Sequence, residues 1–159
     1  MMGSTDRLAD FLALSASLTG YSVFRLRGTG QAERYLGAVV DIVGEGTVDE
    51  LLAAYRGVAT EAADDEAALA SGMRRAIMSD DKLGPLARNV VKLWYLGSWQ
   101  ELPAHWREAY GSSEKDRPFV VSPESYTEGL LWPSVGANPP GAKPFGYGMW
   151  ATTPRIETT

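Results

Sequence analysis

The only histidine of the chain, His105, lies in LPAHWREAY with Glu101 and Glu108 close by in sequence. A histidine beside carboxylates could act as a general acid or base. It would need a nucleophile or an orienting carboxylate in reach, and the chain has no cysteine and no second histidine. Triad and zinc arrangements therefore lack parts, and His105 reads as a residue of a polar surface loop. The pairs Asp64–Asp65 and Asp80–Asp81 could do acid–base or metal chemistry. Each also precedes a helical pattern, where carboxylates accept backbone N–H bonds and match the helix dipole. Capping accounts for both pairs. RLRGTGQAER places Gly28 and Gly30 before a helix, as a phosphate-cradling turn would. A third glycine, a preceding strand, and a lysine–hydroxyl pair are missing, so it reads as a linker and a helix start. No catalytic, cofactor or metal site is expected in this chain.

The elements that would carry these residues are helical. Leu8, Phe11, Leu12 and Leu18 share one face, with Ser4 or Thr5 as cap and Gly20 as stop. YSVFRLRGTG reads as a link. Ala32, Tyr35, Leu36, Val39, Val40 and Val43 form the next stripe, ended by Gly44. Thr47 with Glu50 resembles a capping box ahead of Val48, Leu51, Leu52, Tyr55 and Ala59. A weaker helix with Leu69, Met73 and Ile77 is interrupted by Gly72. The best core pattern is Leu83, Leu86, Ala87, Val90, Val91 and Trp94, capped by Asp80 or Asp81 and ended by Gly97. Residues 100–117 look like a surface loop. Ser122 caps a last helix with Pro123 in its first position, ending at Trp132 because Pro133 cannot continue it. The expectation is a mainly α protein. A small bundle of about six helices over residues 5–132 precedes a long non-regular arm, rich in Pro, Gly and aromatics, over 133–159.

Composition narrows the partners. With 45% hydrophobic and 22% charged residues the chain matches an ordinary soluble globular protein. A net charge of −5 and a pI near 4.9 argue against nucleic acid or an anionic membrane. No apolar run is long enough to span a bilayer.

Burial-seeking side chains remain without an obvious place. Tyr95 and Trp99 fall off the stripe that holds Trp94, so they are tucked under a loop or reserved for a partner. The arm carries Pro139, Pro140, Gly141, Phe145, Gly146, Tyr147 and Trp150 after Trp132. It either folds over its own bundle or lies across another protein, where stiff Pro-rich backbone lowers the ordering cost and aromatics anchor.

FLALSASLTGY, LARNVVKLWYLGSW and SPESYTEGLLWPSVGANPPGAKPFGYGMWATTP together resemble the small subunit of bacterial FAD-dependent sugar and polyol dehydrogenase complexes. Within that family the D-sorbitol dehydrogenase small subunits are the nearest. The likeness runs from about Ala9 to Pro154. Its most specific part is the tail: Tyr126, Trp132, Pro139-Pro140-Gly141, Lys143-Pro144, Gly146-Tyr147-Gly148 and Trp150-Ala151. The resemblance implies a non-catalytic chain that supports maturation and stability of a large subunit. That large subunit is a glucose–methanol–choline type flavoprotein holding the FAD and the substrate, and a cytochrome c subunit often relays its electrons. It also implies export to the periplasm on a twin-arginine leader. MMGSTDRL has no adjacent arginines before an apolar run, so a native start at Met1 would keep the chain in the cytoplasm. Two rival readings stand beside it: a carbohydrate-binding module that stacks exposed Trp and Tyr on sugar rings, and a stand-alone enzyme using His105 with a carboxylate.

Overall fold

The computed structural model describes residues 3–137, and they form a mainly helical bundle. Helix α1, Ser4–Thr19, starts from Gly3 in the cap position, so Ser4 and Thr5 are helical residues rather than caps; it ends at Gly20 as expected. The link that follows contains a helix of its own, α2 (Val23–Gly28), capped by Ser22 and pinned by Leu26, which is wholly buried. Its six residues are too few for a periodic pattern, which is why it reads as linker. Helix α3, Ala32–Val43, buries Ala32, Tyr35, Leu36 and Val39 as its stripe predicts, and Ile42 as well.

Helix α4, Glu45–Ala62, begins two residues ahead of the expected capping box, which leaves Thr47 inside its first turn. Helix α5, Glu66–Met73, is capped by Asp65, whose carboxylate accepts from the N–H groups of Ala67 and Ala68 at 2.9 and 3.2 Å. Gly72 does not interrupt it. A Cβ there would come within 2.7 Å of a Val58 methyl, so the glycine lets α5 lie close against α4. The irregularity falls just after, in a π-helical turn over Arg74–Met78.

Helix α6, Leu83–Leu96, is the centre of the bundle. Asp80 Oδ1 accepts from the backbone of Lys82 and Leu83 at 2.9 and 2.8 Å, so one member of each acidic pair performs the expected capping. Trp94 is buried between Tyr35, edge-on at 4.9 Å, and Phe11 at 6.2 Å. Helices α1, α3 and α6 thus share one aromatic centre, and α4 closes it with Leu51 and Leu52.

After α6 the chain departs from the surface loop expected for residues 100–117. A two-residue strand β1, Ser98–Trp99, pairs antiparallel with β2, Phe119–Val120, with Trp99 opposite Phe119. Between them lies helix α7, Ala104–Tyr110. It buries only Leu102, just ahead of it, and Trp106, whose indole N–H donates to the carbonyl of Lys82 at 2.8 Å. One buried contact per turn on a charged helix leaves no stripe to read. Helix α8, Pro123–Thr127, has the expected Ser122 cap and leading proline. The final helix is not continuous. It breaks at Glu128 and Gly129 and resumes as α9, Leu131–Ser134, with Pro133 inside its first turn, where a missing N–H costs nothing.

Burial, reinforced by the nearby Glu128 charge, pushes the Tyr35 phenol well above the usual tyrosine range. A raised folded pKa favours the protonated form. The associated stability is complete below the unfolded tyrosine pKa and is lost as pH rises beyond it. In an alkaline titration followed by tyrosinate absorbance, Tyr35 should ionise only as the protein unfolds, and Tyr35→Phe should delete that late step. The phenol oxygen makes no hydrogen bond among the described residues, so the same variant should be at least as stable as the parent. Early ionisation of every tyrosine would contradict this.

Candidate partner-contact site

Of the residues singled out for partner contact, the described ones, Tyr95, Trp99 and Trp132, lie around the end of α6 and the segments that pack on it. Gly97 takes a left-handed turn (φ +68°), and a Cβ on it would overlap the carbonyl of Ser125. The Ser125 hydroxyl donates to the Gly97 carbonyl at 2.7 Å, which fastens α8 to the helix end. Gly129 permits a second close approach: a Cβ there would stand 2.7 Å from the carbonyl oxygen of Tyr95. Next to it the N–H of Leu130 donates to the carbonyl of Trp94 at 2.9 Å, and Leu130 is buried. Two glycines and one main-chain hydrogen bond therefore seat α8 and α9 directly on the backbone of α6.

Tyr95 is half-buried in this seam. Its hydroxyl donates to the carbonyl of Thr19 at 3.3 Å and its ring meets Tyr21 edge-on at 6.3 Å. The Tyr21 hydroxyl in turn shares a 2.8 Å hydrogen bond with Ser134 of α9. Trp132 is half-buried, with its indole N–H donating to the carbonyl of Tyr126 at 2.9 Å and its ring edge-on to Tyr126 at 5.6 Å. Both keep some surface, but each is tied to its own chain.

Trp99 corrects the expectation of a partner anchor. It is 0% exposed, and its indole N–H donates to Asp116 at 2.8 Å. Of the two places the sequence left open for it, under a loop is the one the structure adopts. Asp116, itself buried, also accepts from the Leu102 N–H at 3.0 Å and so holds the whole 98–121 excursion together. Pro139, Pro140, Gly141, Phe145, Gly146, Tyr147 and Trp150 lie outside the described residues.

Where the described chain ends there is a cleft of about 440 Å³ between α2 and α9, lined by Phe24, Arg25, Glu128, Trp132, Pro133 and Ala137. Phe24, on a segment read as linker, escaped the sequence reading. A lone aromatic in a short polar stretch carries no periodic signal.

The residues with chemical potential fall elsewhere. His105 is an exposed residue of α7, and it lines a polar cleft of about 360 Å³ together with Asp80, Asp81 and Glu101. Glu101 is committed to Arg107 at 2.9 Å and Asp80 to its capping bonds, and no carboxylate is hydrogen-bonded to His105 among the described residues. Gly28 ends α2 and Gly30 lies between α2 and α3 rather than after a strand, so the strand–turn–helix setting of a dinucleotide turn is not formed there. Among the described residues no group of three or more His, Asp or Glu side chains is placed to hold a metal ion, and no helix is long and apolar enough to cross a membrane. Comparison of the chain with protein-family models, curated proteins and solved structures returns no match.

Proposed function

We propose that this chain is a non-catalytic small subunit that binds an FAD-dependent sugar or polyol dehydrogenase large subunit and supports its maturation and stability. The observation that carries the reading is the seating of the end of the described chain on the body, where the Leu130 N–H donates to the Trp94 carbonyl. The aromatic centre around Trp94 is closed by α1, α3, α4, α6 and Leu130, and Trp99 is buried against its own excursion. Phe145, Tyr147 and Trp150 follow that root in sequence. A root bonded into the body backbone, followed in sequence by prolines and aromatics, suits an anchor laid on another protein. The sequence resemblance supplies the partner's class: a flavoprotein that carries the FAD and the substrate site, with a cytochrome c subunit as a further member of the complex.

The test is co-expression. A tag on this chain alone, expressed together with its native genomic neighbours, should bring down a yellow, FAD-bearing protein, and its sugar or polyol dehydrogenase activity should fall when this chain is omitted. Trp150→Ala or Tyr147→Ala should each weaken the complex by about 2 kcal/mol and lower the yield of active dehydrogenase. Helical content of the small subunit should stay unchanged in both variants. Full dehydrogenase activity with both variants, or a flavoprotein equally active without this chain, would sink the proposal.

One observation favours a second reading. The cleft that brings His105 together with Asp80, Asp81 and Glu101 is what a stand-alone acid–base enzyme would need. That reading requires the purified chain to turn over a substrate unaided, with loss of turnover in His105→Ala. The carbohydrate-module reading finds less support, because Trp94, Trp99 and Trp106 are all buried and unable to stack on a sugar.

A further inference from the structure

Phe24 is 89% exposed, more than any other large apolar side chain among the described residues. Its helix is well placed all the same: the Ser22 hydroxyl accepts from the Arg25 N–H at 3.1 Å, and Leu26, two residues on, is wholly buried. The ring is thus held out into solvent by a fixed backbone rather than left at a frayed end. It borders the cleft that runs to Trp132, Pro133 and Ala137, and Val135, just past α9, is 61% exposed.

The charge around it runs against the rest of the molecule. The chain carries a net −5, yet Phe24 is followed by Arg25 and Arg27, both exposed. Arg25 and Arg27 make no ion pair among the described residues, as is true also of Arg74, Arg75, Arg88 and Arg117, whereas Arg7, Arg34, Arg56 and Arg107 pair with carboxylates. Among the described residues, Glu128 is the one carboxylate lining the cleft. The position of Arg25 and Arg27 in the last turn of α2 suits the helix dipole, which accounts for two basic residues but not for the exposed phenylalanine just ahead of them.

We infer that α2 is a second docking point, in which Phe24 enters an apolar slot on an acidic protein surface while Arg25 and Arg27 pair with carboxylates around it. Phenylalanine and arginine together supply the desolvated contact and the steering charge of an interface. An anionic bilayer would attract the same three side chains, but one aromatic and two arginines on a chain of net −5 fall short of a membrane-binding face. Naming the acidic protein rests on the subunit reading: it is the flavoprotein large subunit.

The experiment measures the affinity of the full chain for that flavoprotein in low and high salt. Phe24→Ala should weaken binding about thirtyfold, the size of an aromatic anchor. The double reversal Arg25→Glu, Arg27→Glu should weaken it by about tenfold or more in low salt and abolish the loss of affinity that salt causes in the parent. All three side chains are exposed, so melting temperature and helical content should not move. Unchanged affinity in both variants overturns this inference and leaves the subunit reading standing. Failure of the parent chain to bind overturns both. Sedimentation of the parent with phosphatidylserine-rich vesicles, lost in the double reversal, would replace the protein partner by a membrane and overturn the inference as well.

Discussion

Gly97→Ala lowers stability by about 3 kcal/mol or more and releases α8 from the end of α6. Two costs combine at this position. A side chain at φ +68° costs about 1–2 kcal/mol by itself. The added methyl also overlaps the Ser125 carbonyl, which is backbone and can only move by lifting the helix that carries it. Gly20→Ala separates the two. Gly20 has φ +79° with nothing near an added Cβ, so it should show the conformational cost alone. Urea unfolding of both variants, followed by circular dichroism, reads the difference directly. Equal losses would mean that α8 is not seated on Gly97. Because α8 and α9 lead into residues 138–159, the same substitution should weaken partner capture beyond its effect on stability.

Asp116→Ala is the second large effect, a loss of about 3 kcal/mol. Its Oδ1 is the common acceptor for the buried Trp99 indole N–H and the Leu102 N–H, at 2.8 and 3.0 Å. Removing it strands two donors away from water, each costing about 1–3 kcal/mol. The other oxygen faces Arg107 Nε at 3.7 Å, an ion pair but too long for a hydrogen bond. Asp116→Asn keeps the acceptor while removing the charge, so it should recover most of the loss. In Asp116→Ala the Trp99 emission should shift to the red as its pocket opens. A double-mutant cycle with Trp99→Phe should give a coupling of about 1 kcal/mol or more. Additive losses would mean that the carboxylate acts on Leu102 alone.

These two positions also mark the boundary of what was legible in advance. The stripes of α3 and α6, the stop at Gly97, the Ser122 cap with Pro123 behind it and the aspartate caps of α5 and α6 could be read from the chain. Each depends on residues within a turn or two of one another. Gly97 was recognised as a stop, but its second duty against Ser125, twenty-eight positions on, was not visible. Trp99 looked like a spare aromatic because its partner Asp116 lies seventeen residues away, across a strand pair and a helix that leave no periodic trace. Pro133 looked like a terminator because the break at Gly129, which resets the helix start, is fixed by a close approach to α6 and the bond from the Leu130 N–H to the Trp94 carbonyl, both distant in sequence.

Sequence alone therefore determined the class of the protein, mainly helical, and the faces its longer helices bury, since period and caps are local properties of the chain. Only the tertiary structure decided which aromatics were spent on the core. It drew Trp99 inside, left Tyr95 and Trp132 half-buried in a seam, and turned Phe24 outward. The reason is physical: burial of a side chain off the main stripe is settled by whatever distant segment can satisfy its polar atom and cover its ring. No local spacing encodes that segment.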